Sequence, residues 1–169
     1  MRFGGSALDE WTVDFMMERV SSLQPATIVE LGSGTSTFFL AKWSTENKAK
    51  FIALEHIEFY AERTRELCAE WSADIRCVPL VHGMYKTNLP SEIDFALIDG
   101  PPGWVGKGYP GRQQTFNHLW PKLSSDFEVL LDDANRHHEK RCLQQWQRAF
   151  PIRVETITRG KGLAIIRRA

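Results

Sequence analysis

The sequence predicts an α/β domain: a doubly wound, mostly parallel seven-stranded sheet with helices on both faces and a C-terminal antiparallel hairpin strand. Three observations carry this. Short runs rich in Val, Ile, Leu and Phe alternate with longer stretches of helical period. The runs are continuous in apolar character, as strands buried on both faces require. The last two runs are joined by Arg159-Gly160-Lys161, a hairpin signal that makes one strand antiparallel.

Each element has its own reason. Asp9 to Leu23 places Trp11, Val13, Phe15, Met16, Val20 and Leu23 at a mostly helical spacing, with Asp9 as cap and Pro25 as stop. Strands are expected at Thr27–Leu31, Lys50–Leu54, Ile75–Val81, Asp94–Ile98 and Phe127–Leu131, then Arg153–Thr158 and Gly162–Arg167. Helices are expected at Ser36–Ser44, Glu58–Trp71, Arg112–Leu123 and Arg136–Ala149. A segment rich in Gly and Pro, Gly100–Gly111, separates the fourth strand from its helix. No linker splits the chain, so residues 1–169 read as one domain, with residues 1–24 a helical extension within it.

Bulk composition narrows the function classes. The 169 residues are 43% hydrophobic and 25% charged, enough for one real core. Lys plus Arg is 21 and Asp plus Glu is 21, a formal net charge of zero that argues against a nucleic-acid partner. Cys68, Cys77 and Cys142 are odd in number and form no CxxC pair. They read as reduced thiols of a cytoplasmic protein. No leader and no membrane span is expected, because no stretch approaches about 18 apolar residues.

The run Thr27-Ile28-Val29-Glu30-Leu31-Gly32-Ser33-Gly34-Thr35-Ser36-Thr37 is the strongest chemical signal. An apolar strand ends in an acid, then two glycines, then small hydroxyl residues that open a helix. Glycine permits a tight turn and a close ligand approach. The helix start offers free N–H groups. This is a nucleotide-type cofactor turn. The third glycine of a dinucleotide fingerprint is absent; Thr37 stands there. A second acid, Glu55, ends the second strand at the distance from the glycines where a carboxylate accepts ribose hydroxyls. A third strand end, Ile93-Asp94-Phe95-Ala96-Leu97-Ile98-Asp99-Gly100-Pro101-Pro102-Gly103, presents Asp99 before a rigid turn. A fourth gathers Asp132, Asp133 and Asn135.

These motifs resemble those of the class I S-adenosylmethionine (AdoMet)-dependent methyltransferases, a Rossmann-like superfamily, across nearly the whole chain. The resemblance implies seven strands, the last inserted by a hairpin, and S-adenosyl-L-methionine as cofactor. It implies that Glu30, Gly32, Ser33, Gly34 and Ser36 face the methionine and ribose portions and that Glu55 holds the ribose. His56 flanks that acid. Gly83 and Met84, in His82-Gly83-Met84-Tyr85, would line the adenine. Asp99 would face the transferred methyl as base or acceptor orienter, with Asp133 assisting. The strand-end acids also resemble the metal-dependent catechol-type O-methyltransferases, which carry an Asp-Asn pair after the fifth strand. Here Ala134 breaks that pair, so Mg²⁺ is not favoured and no metal ligand is assigned. The plain alternative for Asp132, Asp133 and Asn135 is a helix cap.

Two further segments carry weaker expectations. Trp104–Arg112 combines glycines, aromatics and cations, and reads as a lid with Lys107 and Arg112 holding an anionic acceptor. His137 and His138 read as solvated helix-surface residues, since adjacent helical positions point apart. The expected reaction is methyl transfer to a small molecule, at oxygen. An NAD-linked oxidoreductase and a non-catalytic binding module are the alternatives.

Overall fold

The structure is a computed structural model that describes residues 8–102 and 112–169. Its main sheet has seven strands in the order β3-β2-β1-β6-β7-β9-β8. They are β1 (Thr27–Leu31), β2 (Lys50–Glu55), β3 (Asp74–Cys77), β6 (Ile93–Ile98), β7 (Leu123–Asp132), β8 (Ile152–Ile157) and β9 (Leu163–Arg168). β3, β2, β1, β6 and β7 pair in parallel, while β9 is antiparallel to both β7 and β8. Five helices cover the faces: α1 (Glu10–Leu23), α2 (Thr35–Asn47), α3 (Glu58–Leu67), α4 (Gln113–Leu119) and α5 (His137–Ala149).

Two-residue periodicity along the strands divides the core between the faces. Val29, Leu31, Ile52, Leu54 and Ile98 point to the side filled by Phe116, Leu143 and Trp146. Ile28, Phe51, Ala53, Phe95 and Leu97 point to the side filled by Met16, Val20, Leu40 and Ala41. Aromatic stacking closes the first face, with the Phe116 and Trp146 rings 5.0 Å apart. α1 starts as expected: the Asp9 side chain accepts from the Thr12 N–H at 2.8 Å. α1 is also tied to the sheet, because Arg19 and Arg167 both donate to the buried carboxylate of Glu128 on β7.

Three expectations are corrected. The strand expected at Ile75–Val81 ends at Cys77, and a separate hairpin follows: β4 (Leu80–Val81) and β5 (Met84–Tyr85). Pro79 brings no N–H to a continuing ladder. His82 and Gly83, at φ +52° and +78°, form a two-residue turn of the kind that favours hairpins. The helix expected through Trp71 ends at Leu67, where the Trp71 N–H returns to the Cys68 carbonyl at 2.8 Å and the indole packs edge-on against Phe38. The helix expected through Leu123 ends at Leu119, gives one 3-10 turn at Trp120–Lys122, and β7 begins four residues early at Leu123. Pro121 sets that boundary.

Strand order reverses at β1, whose neighbours are β2 and β6, so a crevice opens at their carboxyl ends. Register aligns those ends: Leu31 lies opposite both Leu54 and Ile98. The Leu31 carbonyl then accepts from the N–H groups of Asp99, at 3.0 Å, and Gly100, at 2.5 Å. A Cβ on Gly32, at φ +95°, would stand 2.7 Å from the Gly100 nitrogen. Gly32→Ala is expected to lose about 2–3 kcal/mol of stability through strain and collision, measured by urea denaturation; a loss under about 1 kcal/mol would mean that the crossing relaxes freely.

Candidate functional site

Glu30 is fully enclosed at the base of the glycine turn. Its two oxygens accept from the hydroxyls of Ser36 and, at 2.6 Å, Thr37, in the first turn of α2. Thr37 Oγ1 in turn accepts from the Gly34 N–H at 2.8 Å. The carboxyl is thus the internal brace of the turn. Burial pushes it up to about 7, with the two hydroxyl bonds pulling the other way. Ser36, expected beside the cofactor, instead spends its hydroxyl on Glu30 and is itself buried.

Glu55 ends β2 with its carboxylate folded against backbone. Oε1 accepts from the N–H groups of His56, at 2.7 Å, and Ile57, at 2.9 Å; Oε2 accepts from Ser33 N–H at 3.3 Å. Glu55 therefore joins the glycine turn to the start of α3, and the Ser33 hydroxyl adds a bond to Thr64 at 3.2 Å. The His56 ring sits over the same carboxylate, its Nδ1 2.9 Å from Oε1 but poorly aligned for a hydrogen bond.

The third group of acids lies at the ends of β6 and β7. Asp99, Asp132 and Asp133 each bring a carboxylate oxygen within 4.8 Å of the others. Burial and the neighbouring Asp132 raise the Asp99 carboxyl well above its usual range, with Arg112 opposing. Burial and Asp133 raise Asp132 likewise. Arg112 runs through this cluster, 2% exposed. Its guanidinium donates to the carbonyls of Asp99 at 2.6 Å, Asp132 at 2.9 Å and Pro101 at 3.3 Å, and to Asp133 Oδ2 at 3.2 Å. It also lies 3.4 Å from Glu139 and 3.6 Å from the Asp99 carboxylate. Arg136 adds a second cation 2.7 Å from Asp133.

The helix-cap alternative for the acids is not what the structure contains. The N-cap of α5 is Arg136, without a side-chain cap bond. Asp133 adopts φ +61°, and Asn135 is turned away to donate to the carbonyls of Thr158, at 2.8 Å, and Gly160, at 3.3 Å. Asn135 therefore belongs to the β8–β9 hairpin and not to the acids. Asp132 Oδ2 and Asp133 Oδ1 are buried without a hydrogen-bond partner. Three clustered carboxylates, two of them with a free buried oxygen, suit a hard divalent cation.

Gly83 sits in the β4–β5 turn and Met84 on its outgoing strand. Met84, Val81, Lys86 and His118 line a cavity of about 470 Å³ whose inner wall is Tyr85. Glu55, Gly32 and Asp99 do not line it, so this cavity adjoins the crevice without being it. His137 is exposed, as expected, but His138 Nε2 is buried without a partner. The lid expected at 104–111 lies outside the described residues. Arg112, expected to meet an acceptor, is the structural cation of the acid cluster. Its role carried no local signal: its partners come from β6, β7 and α5.

No family model and no curated protein matches the sequence. Solved structures do match the fold. An O-methyltransferase of Bacillus cereus, in complex with S-adenosylhomocysteine (SAH), superposes with TM-score 0.76 at 14% identity, covering 98% of this chain and 84% of that one. A SAH-bound methyltransferase of Podospora anserina gives 0.74 at 15%, covering 97% and 80%. The O-methyltransferase TomG of Streptomyces achromogenes, involved in tomaymycin synthesis and in complex with AdoMet, gives 0.69 at 12%, covering 96% and 82%. This chain has the class I methyltransferase fold. Within that fold, Gly32, Glu55 and Asp99 stand at the ends of β1, β2 and β6, and Asp132 and Asp133 at the end of β7.

Glu30 gives a test of the turn. Its folded carboxyl is raised from 4.5 to about 7. Its stabilising contribution is therefore complete at low pH and is lost as pH rises through about 7. Between pH 5 and 8 that loss is about 2–3 kcal/mol at 1.36 kcal/mol per unit. Glu30→Gln, which does not titrate, should lack it. Urea denaturation of both proteins at the two pH values measures the difference, and parallel pH dependence would refute this account of Glu30.

Proposed function

We propose that the protein binds S-adenosyl-L-methionine across the carboxyl ends of β2, β1 and β6 and transfers its methyl group to a small-molecule acceptor, at oxygen. The observation that carries this reading is the meeting, at four neighbouring strand ends, of a glycine turn without room for a Cβ, a buried carboxylate, and a cluster of three further carboxyls. The likeness in fold to AdoMet- and SAH-bound methyltransferases, several of them O-methyltransferases, supports it. An NAD-linked oxidoreductase is less well supported, because Thr37 stands in place of the third glycine and its hydroxyl braces the turn.

The bound cofactor supplies an electrophilic methyl group on a sulfonium. The protein's task is then alignment and proton handling. Glu55, already held by three backbone N–H groups, accepts a ribose hydroxyl with the lone pair left on Oε2. Gly32 and Gly34 bring the backbone against the methionine portion. Asp99 orients the acceptor hydroxyl and takes its proton. Asp133, fixed by Arg112 and Arg136, assists by holding the cluster's geometry rather than by meeting the acceptor. Asp99, Asp132 and Asp133 would hold a divalent cation, which would supply a Lewis acid for the acceptor oxygen.

Calorimetric titration with AdoMet, SAH and NAD tests the cofactor. Micromolar binding of the adenosyl ligands is expected, weakened about tenfold in Glu55→Gln, which loses a charge-assisted ribose bond. Binding of NAD alone would overturn the reading.

A separate titration with Mn²⁺ reads the acid cluster. Saturable binding to the wild type, lost in Asp132→Asn, is the expected result. Equal uptake by both proteins would remove Asp132 from the ligand set.

A further inference from the structure

We propose that the outer edge of β8 pairs with β8 of a second copy of this chain. The pairing is antiparallel about a two-fold axis through Val154, and it joins two seven-stranded sheets into one. It does not depend on the cofactor reading. β8 is the last strand in the sheet order, and among the described residues no strand lies beyond it. It pairs with β9 over all six residues, Ile152 to Ile157, without a register shift. Alternate backbone N–H and carbonyl groups of such a strand point away from its neighbour. Lysines, prolines and bulges are common means of blunting an edge. Ile152-Arg153-Val154-Glu155-Thr156-Ile157 contains none of them and carries one charge of each sign instead.

Those charges select both the partner and the register. Side chains directly opposite each other in an antiparallel pair share a face of the sheet. A two-fold axis that continues one sheet must therefore pass through a residue, not between two. Placed at Arg153 or at Glu155, the axis sets like charges against each other. Placed at Val154, it sets Arg153 opposite the partner's Glu155 and Glu155 opposite the partner's Arg153. Val154 then meets its own counterpart, and Ile152 faces the partner's Thr156. Arg153 is unmet within its own chain. It lies directly opposite Arg167 on β9, a like-charge pair, and makes no ion pair or hydrogen bond among the described residues. Arg167 is already held by Glu128 at 2.7 Å and reaches Glu155 at 3.4 Å. The Glu155 side chain is still 64% exposed, open to a second guanidinium. The other edge of the sheet differs: β3 has four residues, and its Asp74 and Arg76 are ion-paired with each other. Exposed ion pairs contribute at most about 1 kcal/mol each, so the backbone ladder supplies the affinity and the charges fix the register.

Sedimentation equilibrium of the full chain over about 1–100 µM should show a reversible monomer–dimer equilibrium. Arg153→Glu and Glu155→Arg should each weaken it at least about tenfold, because each sets two like-charge pairs across the axis. Mixed in equal amounts, the two variants should dimerise with each other, since every charge pair across the axis is then of opposite sign. The double variant carrying both changes should dimerise like the wild type. Val154→Cys should cross-link under mild oxidation, because opposed residues have Cα atoms about 4.5–5.5 Å apart, within disulfide reach. The wild type, with Cys68, Cys77 and Cys142 alone, should not. A wild type that stays monomeric over the whole range overturns the proposal. A dimer indifferent to both charge reversals overturns it too, as the interface would then lie elsewhere. Failure of the mixture and of the double variant to recover, or no cross-link at Val154→Cys, overturns the pairing through Val154.

Discussion

The crossing of Gly32 over Gly100 constrains everything else at the crevice. β1 and β6 end at the same level, and their ladder continues one step into the turns through the Leu31 carbonyl, which accepts from both Asp99 and Gly100. A hydrogen-bonded ladder fixes relative position to a few tenths of an ångström, whereas two ordinary loops would drift. Asp99 therefore stands at a set distance from the glycine turn whatever the loop beyond it does. The condition is that neither glycine carries a Cβ, because each would enter the other's backbone. The start of α2 inherits the same rigidity through the Glu30 brace, and α3 through Glu55.

Buried carboxylates recur around this crossing, and the way each is compensated differs. Glu30 receives two hydroxyls, and Glu55 three backbone amides. Asp133 receives two guanidinium groups. Asp99 and Asp132 are both raised by burial, Asp99 further by the neighbouring Asp132 and Asp132 by Asp133. A fold bears uncompensated buried charge only where something else offsets it. Incomplete satisfaction is concentrated at the ends of β6 and β7, where Asp132 and Asp133 each keep a buried oxygen without a partner.

What the sequence makes legible is what is local. A glycine after a strand, or an acid at a strand end, declares its position through neighbours in the chain, and the strand order follows from alternation and the terminal hairpin. The rest depends on contacts between distant segments. Ser36 looks like a surface donor until Glu30 is known to lie beneath it. Asn135 looks like a partner of Asp133 until the left-handed turn at Asp133 swings it to the β8–β9 hairpin. Trp71 fits a helical period, but its ring is drawn to Phe38 and the helix stops short. The hairpin at Leu80–Tyr85 is missed because the left-handed turn at His82-Gly83 shows only in the backbone.

Arg112 shows how such a long-range contact divides labour within the site. Its guanidinium spans the carbonyls of Asp99 and Pro101 on one side and Asp132 on the other. The segment that leaves β6 at Asp99 is thus brought back to its own start before α4 begins. A loop clamped at its base can change length or composition without moving the base, since closing it costs little more with each added residue. The clamp also places a permanent cation against three carboxyls, which holds the geometry of the cluster. The end of β6 is thereby fixed twice, by the Gly32–Gly100 crossing and by the Arg112 guanidinium, so Asp99 keeps its place beside the glycine turn.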